Sequence, residues 1–238
     1  MKDNNTKIIC IPEAIPENPV STVYNTENVV EVVTARNVCN KINRFRKLDK
    51  HHYVDTETGE VKQYELSEKK ADKPENFRKS LMQMRRIVNA NFSGKSDEFH
   101  IVLTYGTVMT DTKKLYSDFK HFIEHLRREY IIEYICIPEP HRDGRWHIHV
   151  LVKSDKAIPE HTLHDLWKHG LSYIGSLPES DNIGAYFSSY MTNLNLCEDI
   201  TDGKLKGAKM IAKGERIKYY PIGMRLYRCS RGITKPYK

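Results

Sequence analysis

Glu139-Pro140-His141-Arg142-Asp143-Gly144-Arg145-Trp146-His147-Ile148-His149-Val150-Leu151-Val152 is the stretch on which the reading of this chain turns. Side chains alternate faces along an extended strand, so His147 and His149 point one way while Trp146, Ile148 and Val150 point the other. Asp143-Gly144 is a hairpin-type turn signal. The turn folds the strand that carries Glu139 back alongside the histidine strand. Two imidazoles and one carboxylate then converge on a point, as a metal site with open positions for a substrate requires.

A His-x-His pair in a strand is often no more than two polar residues on a solvated face. Three features favour the metal reading here. The flanking Ile-His-Val-Leu-Val resembles an interior strand, where an unpaired polar group costs on the order of 1–3 kcal/mol. Glu139 sits where a hairpin delivers it. Downstream, a pair of tyrosines supplies a matching nucleophile.

The pattern around this stretch is that of an α+β domain. Phe99–Tyr105, Ile131–Ile137 and Arg145–Val152 read as strands. Asp111 can cap a helix running to about Tyr130, with Leu115, Phe119, Phe122 and Leu126 as its core stripe. Pro159 opens a helix closed by Gly170, Leu171–Ile174 is a short strand, and a helix follows from about Asn182 to Leu196. Further strands are expected near Arg216–Tyr220 and Met224–Arg228. The order strand, helix, strand, strand, helix, strand matches a ferredoxin-like (RRM-like) antiparallel sheet with helices packed on it, plus an added helix and extra strands.

Upstream, residues 1–27 read as a flexible tail, with Pro12, Pro16 and Pro19 among polar residues. Residues 28–97 form a small N-terminal extension of mixed, partly helical character. It holds a strand at Val29–Val33, a basic helix at Arg36–Leu48, a turn at Asp55–Gly59 and an amphipathic helix at Phe77–Asn91. Residues 98–238 make the main domain with a basic C-terminal segment.

The chain has 238 residues, a net charge of +7 and a pI near 9.0. No apolar run approaches the ~20 residues that span a bilayer, and the N-terminus has no signal-peptide core. Five scattered cysteines without Cys-x-x-Cys spacing indicate neither a disulfide framework nor a zinc knuckle, which points to a reducing cytosol. Between Gly203 and Lys238 there are eleven lysines and arginines against one acid, Glu215. Tyr219, Tyr220, Tyr227 and Tyr237 interleave with them. Cations for phosphates and aromatic faces for bases are what a nucleic-acid groove needs, so Arg216, Lys218, Arg225, Arg228 and Arg231 are candidate DNA contacts.

Tyr186 and Tyr190 lie four apart on the predicted helix and share a face. A phenol with a pKa near 10 costs roughly 4 kcal/mol to ionise at pH 7. A divalent cation on Glu139, His147 and His149 offsets this by polarising the phosphate under attack.

Taken together these residues resemble the HUH endonucleases, specifically the rolling-circle replication initiators of bacterial plasmids and phages. Leu103-Thr104-Tyr105 matches the family's first strand motif. Glu139 with His147-Ile148-His149 matches its carboxylate and His-hydrophobic-His. Tyr186 and Tyr190 match its tyrosine helix, and Tyr220–Gly232 also looks like initiators from low-GC bacteria. The resemblance covers roughly Phe99–Gly232 and implies a metal, Mg²⁺ or Mn²⁺, at the scissile phosphate of single-stranded or hairpin-extruded origin DNA; the ligand types also suit Zn²⁺. It further implies tyrosine attack that leaves a 5′-phosphotyrosyl link and a free 3′-OH, with later rejoining. Tyr190 matches the principal nucleophile and Tyr186 the second position. Where family members often carry a phosphate-steadying lysine, this chain has Ser189 and Asn193, so a cation from the basic C-terminal segment could substitute.

Two other readings stand beside it. His121-Phe-Ile-Glu124-His125 fits a zinc-peptidase spacing, but a solvated helix face explains it without chemistry. A non-catalytic ferredoxin-like nucleic-acid-binding or regulatory module would use the same sheet and basic tail. A relaxase or a transposase would share the chemistry. No Gly-x-x-x-x-Gly-Lys-Ser/Thr loop is present, so a host helicase and DNA polymerase in the bacterial cytosol are the expected partners.

Overall fold

In the computed structural model of the chain, the Asp143–Gly144 step is the turn of a β-hairpin. The structure describes residues 20–26, 29–35, 44–64, 74–141, 143–180, 182–191 and 217–236. Strand β7 (Ile132–Pro140) runs into the turn and strand β8 (Trp146–Ser154) runs out of it. Asp143 closes the turn, its carboxylate accepting from Arg145 N at 3.1 Å and Arg145 Nε at 2.7 Å. Gly144 takes φ +86°, a left-handed conformation that a Cβ would strain, and such a Cβ would meet the Tyr219 ring at 2.9 Å.

Around this hairpin stands a five-stranded antiparallel sheet in the order β10-β7-β8-β6-β9, where β6 is Glu98–Leu103, β9 is Ser172–Ser176 and β10 is Arg228–Cys229. The architecture is α+β and compatible with the ferredoxin-like fold expected from the sequence. Helix α2 (Thr112–Leu126) starts where Asp111 caps it, the carboxylate accepting from Lys113 N and Lys114 N at 2.8 and 3.2 Å. Its buried stripe is Leu115, Phe119, Phe122, Ile123 and Leu126. Phe119 meets Tyr134 edge-on at 5.5 Å. Tyr134 and Glu139 have opposite parity along β7, so α2 covers the face away from the histidines. Helix α3 (Glu160–Leu166) leads to Trp167, which is fully buried and packs on Phe122 at 5.9 Å.

Helices α1 (Pro74–Asn89) and α4 (Ile183–Met191) pack on each other. The joint is close. A Cβ on Gly184 would lie 2.4 Å from the Arg85 carbonyl oxygen and 2.7 Å from Asn89 Oδ1. Asn89, buried on α1, accepts from Gly184 N at 2.7 Å and donates to Asn182 Oδ1 at 3.0 Å. Asn182 Oδ1 in turn accepts from Ala185 N at 3.0 Å, as a helix N-cap does. A buried amide on one helix thus holds the first turn of the other.

Upstream, β1 (Val20–Asn25) pairs with β2 (Val30–Ala35), and β3 (Phe45–Lys47), β4 (His52–Asp55) and β5 (Val61–Gln63) form a three-stranded sheet. Two compact units result. The described residues of Met1–Tyr24 and Glu31–Glu65 make one, and those of Asn25–Val30 and Leu66–Tyr237 the other.

Several expected elements come out differently. Strand β1 lies within the segment read as a tail, and α1, read as part of the extension 28–97, belongs to the second unit. Its stripe of Phe77, Leu81, Met84 and Val88 is buried there. The basic helix expected over Arg36–Leu48 falls partly outside the described residues, and Phe45–Lys47 is strand. Cross-strand contacts decide this: Phe45 packs edge-on to Tyr53 at 5.4 Å, and Arg44 pairs with the fully buried Asp55 at 2.9 Å. Of the two late strands, Ile217–Tyr219 is a single 3-10 turn and only Arg228–Cys229 pairs with β7. Pro221 lacks an N–H and Gly223 takes φ +79°, which breaks the run. The Tyr220 hydroxyl instead anchors the segment by donating to the Pro138 carbonyl at 3.0 Å.

Asn89→Ala strips the Gly184 N–H of its buried acceptor. The expected cost is about 1–3 kcal/mol of stability, read as a lowered urea midpoint with an unchanged slope.

Candidate metal centre

The hairpin register fixes the site. Glu139 on β7 lies directly opposite His147 on β8, and Ile137 lies opposite His149. Opposed residues in an antiparallel pair share a face, with Cβ atoms about 5 Å apart. The face is well shielded: Glu139 is 4% and His147 7% exposed, and His149 is half-buried. Trp146, Ile148 and Val150 enter the core on the other side, as alternation requires.

Three donor atoms meet here. His147 Nε2 and His149 Nε2 are 2.9 Å apart, His149 Nε2 lies 3.1 Å from Glu139 Oε2, and His147 Nε2 lies 3.5 Å from the same oxygen. With metal–ligand bonds of about 2.0–2.2 Å, adjacent ligands are about 3 Å apart on an octahedron and about 3.4 Å on a tetrahedron. The three edges fall in that range. A single imidazole N–H satisfies one such contact well, whereas a cation accepts a lone pair from each of the three. Glu139, His147 and His149 therefore could bind a metal ion, and they are the group of convergent ligand side chains found among the described residues. The donor set is common to Mg²⁺, Mn²⁺ and Zn²⁺. Burial works against the charge of Glu139, but its hydrogen bonds with His147 and His149 outweigh burial and hold the carboxyl well below the usual carboxylate range. It stays ionised, as a ligand must.

A fourth residue supports the three. His100 on β6 places Nε2 2.9 Å from His149 Nδ1, with the two rings stacked at 5.2 Å. Burial pushes His100 down to about 3, with the adjoining His149 adding to the shift, so the ring is neutral and keeps a lone pair. A His149 that coordinates through Nε2 carries its proton on Nδ1 and donates it to His100. This is the outer-shell bond that fixes a ligand's tautomer and ring angle. On its other side, His100 meets Phe187 of α4 edge-on at 4.8 Å. Beyond the hairpin end, the His141 ring lies on His147 at 4.2 Å.

Phe187 ties the tyrosine helix to the centre. Tyr186, next in sequence and 40% exposed, has its ring 5.7 Å from that of Phe187. Tyr190 lies one turn further along α4. Its side chain, that of Ser189, and all of Asn193 and Arg216 lie outside the described residues. Lys218 sits over the Tyr219 ring at 5.1 Å, and Arg228 lies 3.3 Å over the Tyr116 ring. Arg225 and Arg231 are exposed beside β10.

The remaining motifs have structural roles. At the end of β6, the Thr104 carbonyl accepts from Trp167 Nε1 at 2.7 Å, and the Tyr105 hydroxyl donates to Asp118 at 3.1 Å. Burial and the Asp118 charge push the Tyr105 phenol up, which makes it no nucleophile. His121, Glu124 and His125 stay on an exposed face of α2. There His125 Nδ1 is 2.8 Å from the His121 carbonyl oxygen and Glu124 pairs with Lys120 at 3.6 Å. They bring no ligand set together.

His100 was missed because its partner is set by strand pairing. Glu98-Phe99-His100 reads as the start of a strand. Only the register that sets Val102 opposite His149 brings His100 diagonally beside that histidine. Replacing it with leucine is expected to weaken Mn²⁺ binding about 10–100-fold in isothermal titration calorimetry. His100→Gln, which restores an acceptor, should recover part of the loss; unchanged affinity in His100→Leu would show that the bond does not support the ligand.

No helix among the described residues is long and apolar enough to cross a membrane. No curated protein and no solved structure matches the chain. Residues 98–195 match the model of a family described as Replication-associated protein ORF2, a segment that runs from β6 through α4 and contains Glu139, His147, His149, Tyr186 and Tyr190. This segment, and the interaction with DNA that replication entails, fits a rolling-circle replication initiator family.

Proposed function

We propose that this chain initiates replication by nicking single-stranded origin DNA through tyrosine attack beside the Glu139–His147–His149 centre. The observation that carries the reading is the convergence of those three donors on one sheet face, with the tyrosine helix α4 joined to it through Phe187 and His100. The match to a replication-associated family supports it.

Glu139, His147 and His149 would hold a divalent cation, Mg²⁺ or Mn²⁺, that polarises the scissile phosphate. The rest of the step belongs to the chain's own groups. The Tyr190 phenol oxygen attacks phosphorus, the bond from phosphorus to the 3′-oxygen breaks, and the strand leaves with a free 3′-OH. The phenol loses a proton and the departing 3′-oxygen gains one. One phosphoester is exchanged for another, so its energy is conserved in the 5′-phosphotyrosyl link. Rejoining is the same reaction run backwards. Tyr186, on the same helix face, supplies a second nucleophile for the closing cut. Among the chain's described residues, α4 is held at its first turn by Asn89, which limits the freedom of both tyrosines. A host helicase opens the duplex and a polymerase extends the 3′-OH, in the cytosol of a bacterial host.

The test is a denaturing gel with labelled single-stranded origin DNA from the element that encodes the chain, with Mn²⁺ or EDTA. Wild type should give a metal-dependent protein–DNA band. Tyr190→Phe should reduce it at least about 100-fold, and the Tyr186→Phe/Tyr190→Phe double variant should abolish it. DNA binding without cleavage under any metal would favour a non-catalytic binding module instead.

A further inference from the structure

Helix α1 and the segment around β10 enclose a cavity of about 660 Å³ within the second unit. Arg225, Arg228, Arg231 and Lys235 line it, and no carboxylate does. None of the four forms an ion pair with a carboxylate among the described residues. Four like charges around one space repel one another, and an anion inside it relieves that repulsion.

The cations are held rather than loose. Arg228 lies 3.3 Å over the Tyr116 ring, and the Tyr116 hydroxyl donates to the Arg225 carbonyl at 3.1 Å. One tyrosine of α2 therefore fixes the position of two arginines. The far wall differs in character: α1 contributes Ser80 and Gln83 as hydrogen-bonding groups and Ile87 as apolar surface, and Tyr227 faces them from the C-terminal segment. A bare phosphate would not need this volume or the apolar wall. A nucleotide uses both, with its phosphate on guanidinium groups and its base on aromatic and apolar surface.

The location suits a strand that continues from the cut. Arg228 is registered opposite Cys136, three residues before Glu139 on the same strand. At the rise of an extended chain this is about 10 Å along β7. A DNA strand with one phosphate at the metal centre can reach the cavity within a few nucleotides.

We infer that this cavity binds a nucleotide of the same DNA strand that is cut at the metal centre, with phosphate among Arg225, Arg228 and Arg231 and base against Tyr227 and Ile87. The inference rests on the DNA-nicking reading above. It adds a second site of grip on the strand, one that helix α1 completes.

Fluorescence anisotropy with labelled oligothymidylate tests it, across a salt series and with circular dichroism to confirm folding. The Arg225→Ala/Arg231→Ala/Lys235→Ala variant should bind at least about tenfold more weakly. Its salt slope should fall by about 0.7 for each phosphate no longer neutralised. Gln83→Trp, which fills the cavity and leaves the charges, should weaken binding at least about fivefold with the slope unchanged. Wild-type affinity in both variants would overturn the inference. So would tight binding of dTMP or inorganic phosphate that the triple variant abolishes while oligothymidylate binding is unaffected, which would assign the site to a free nucleotide or anion. Competition by polyglutamate as effective as by oligothymidylate, and insensitive to Gln83→Trp, would assign it to an acidic protein. Absence of any covalent adduct in the wild-type gel assay would sink the nicking reading alone, since the anisotropy comparison decides the cavity by itself.

Discussion

Glu139 opposite His147, across a tight antiparallel turn, is the constraint on which the rest depends. Side chains alternate with period two, so a slip of one residue in this pairing would turn both histidines into the opposite layer and bring Ile148 and Val150 out. Trp146, Ile148 and Val150 are buried on the core side, which makes that slip costly. The hydrophobic pattern of β8 thereby specifies the polar site on its other face. Asp143 and Gly144 set the turn, and the Tyr219 ring packed against Gly144 leaves no room for a Cβ.

From that pairing the site grows outward through contacts of increasing sequence distance. His149 reaches His100 on the neighbouring strand, His100 reaches Phe187 on α4, and α4 is clamped to α1 by Asn89. The polar links, His100 to His149 and Asn89 to Gly184, lie in shielded positions. Buried polar groups of this kind are destabilising when half satisfied and orienting when fully satisfied. The tyrosine helix therefore does not approach the centre as an independent element. Its position is set by the same network that sets the ring of a ligand.

The main sheet and the three donors were legible in the sequence because they rest on local signals. Asp-Gly between two apolar runs, a His-x-His in one of them, and a cap at Asp111 ahead of a stripe of four apolar residues each speak for themselves. The parts that were missed depend on register or on competition between distant segments. His100 needs the pairing of β6 with β8. Phe45–Lys47 has a basic, helix-compatible composition, but cross-strand packing on Tyr53 and the buried Asp55 prevail. The residues around Tyr220 look strand-like, yet Pro221 and the Tyr220 bond to Pro138 bend them across the sheet edge. Helix α1 was recognised as a helix. Its place beside α4 was not visible, since it follows from a glycine and an asparagine 95 residues apart, Gly184 and Asn89.

Anomalous scattering at the manganese edge, from crystals of the wild-type chain grown with Mn²⁺, tests the central claim most directly. The account predicts one strong peak at about 2.0–2.2 Å from Glu139 Oε2, His147 Nε2 and His149 Nε2 together. A peak elsewhere, or none at saturating Mn²⁺, would contradict it.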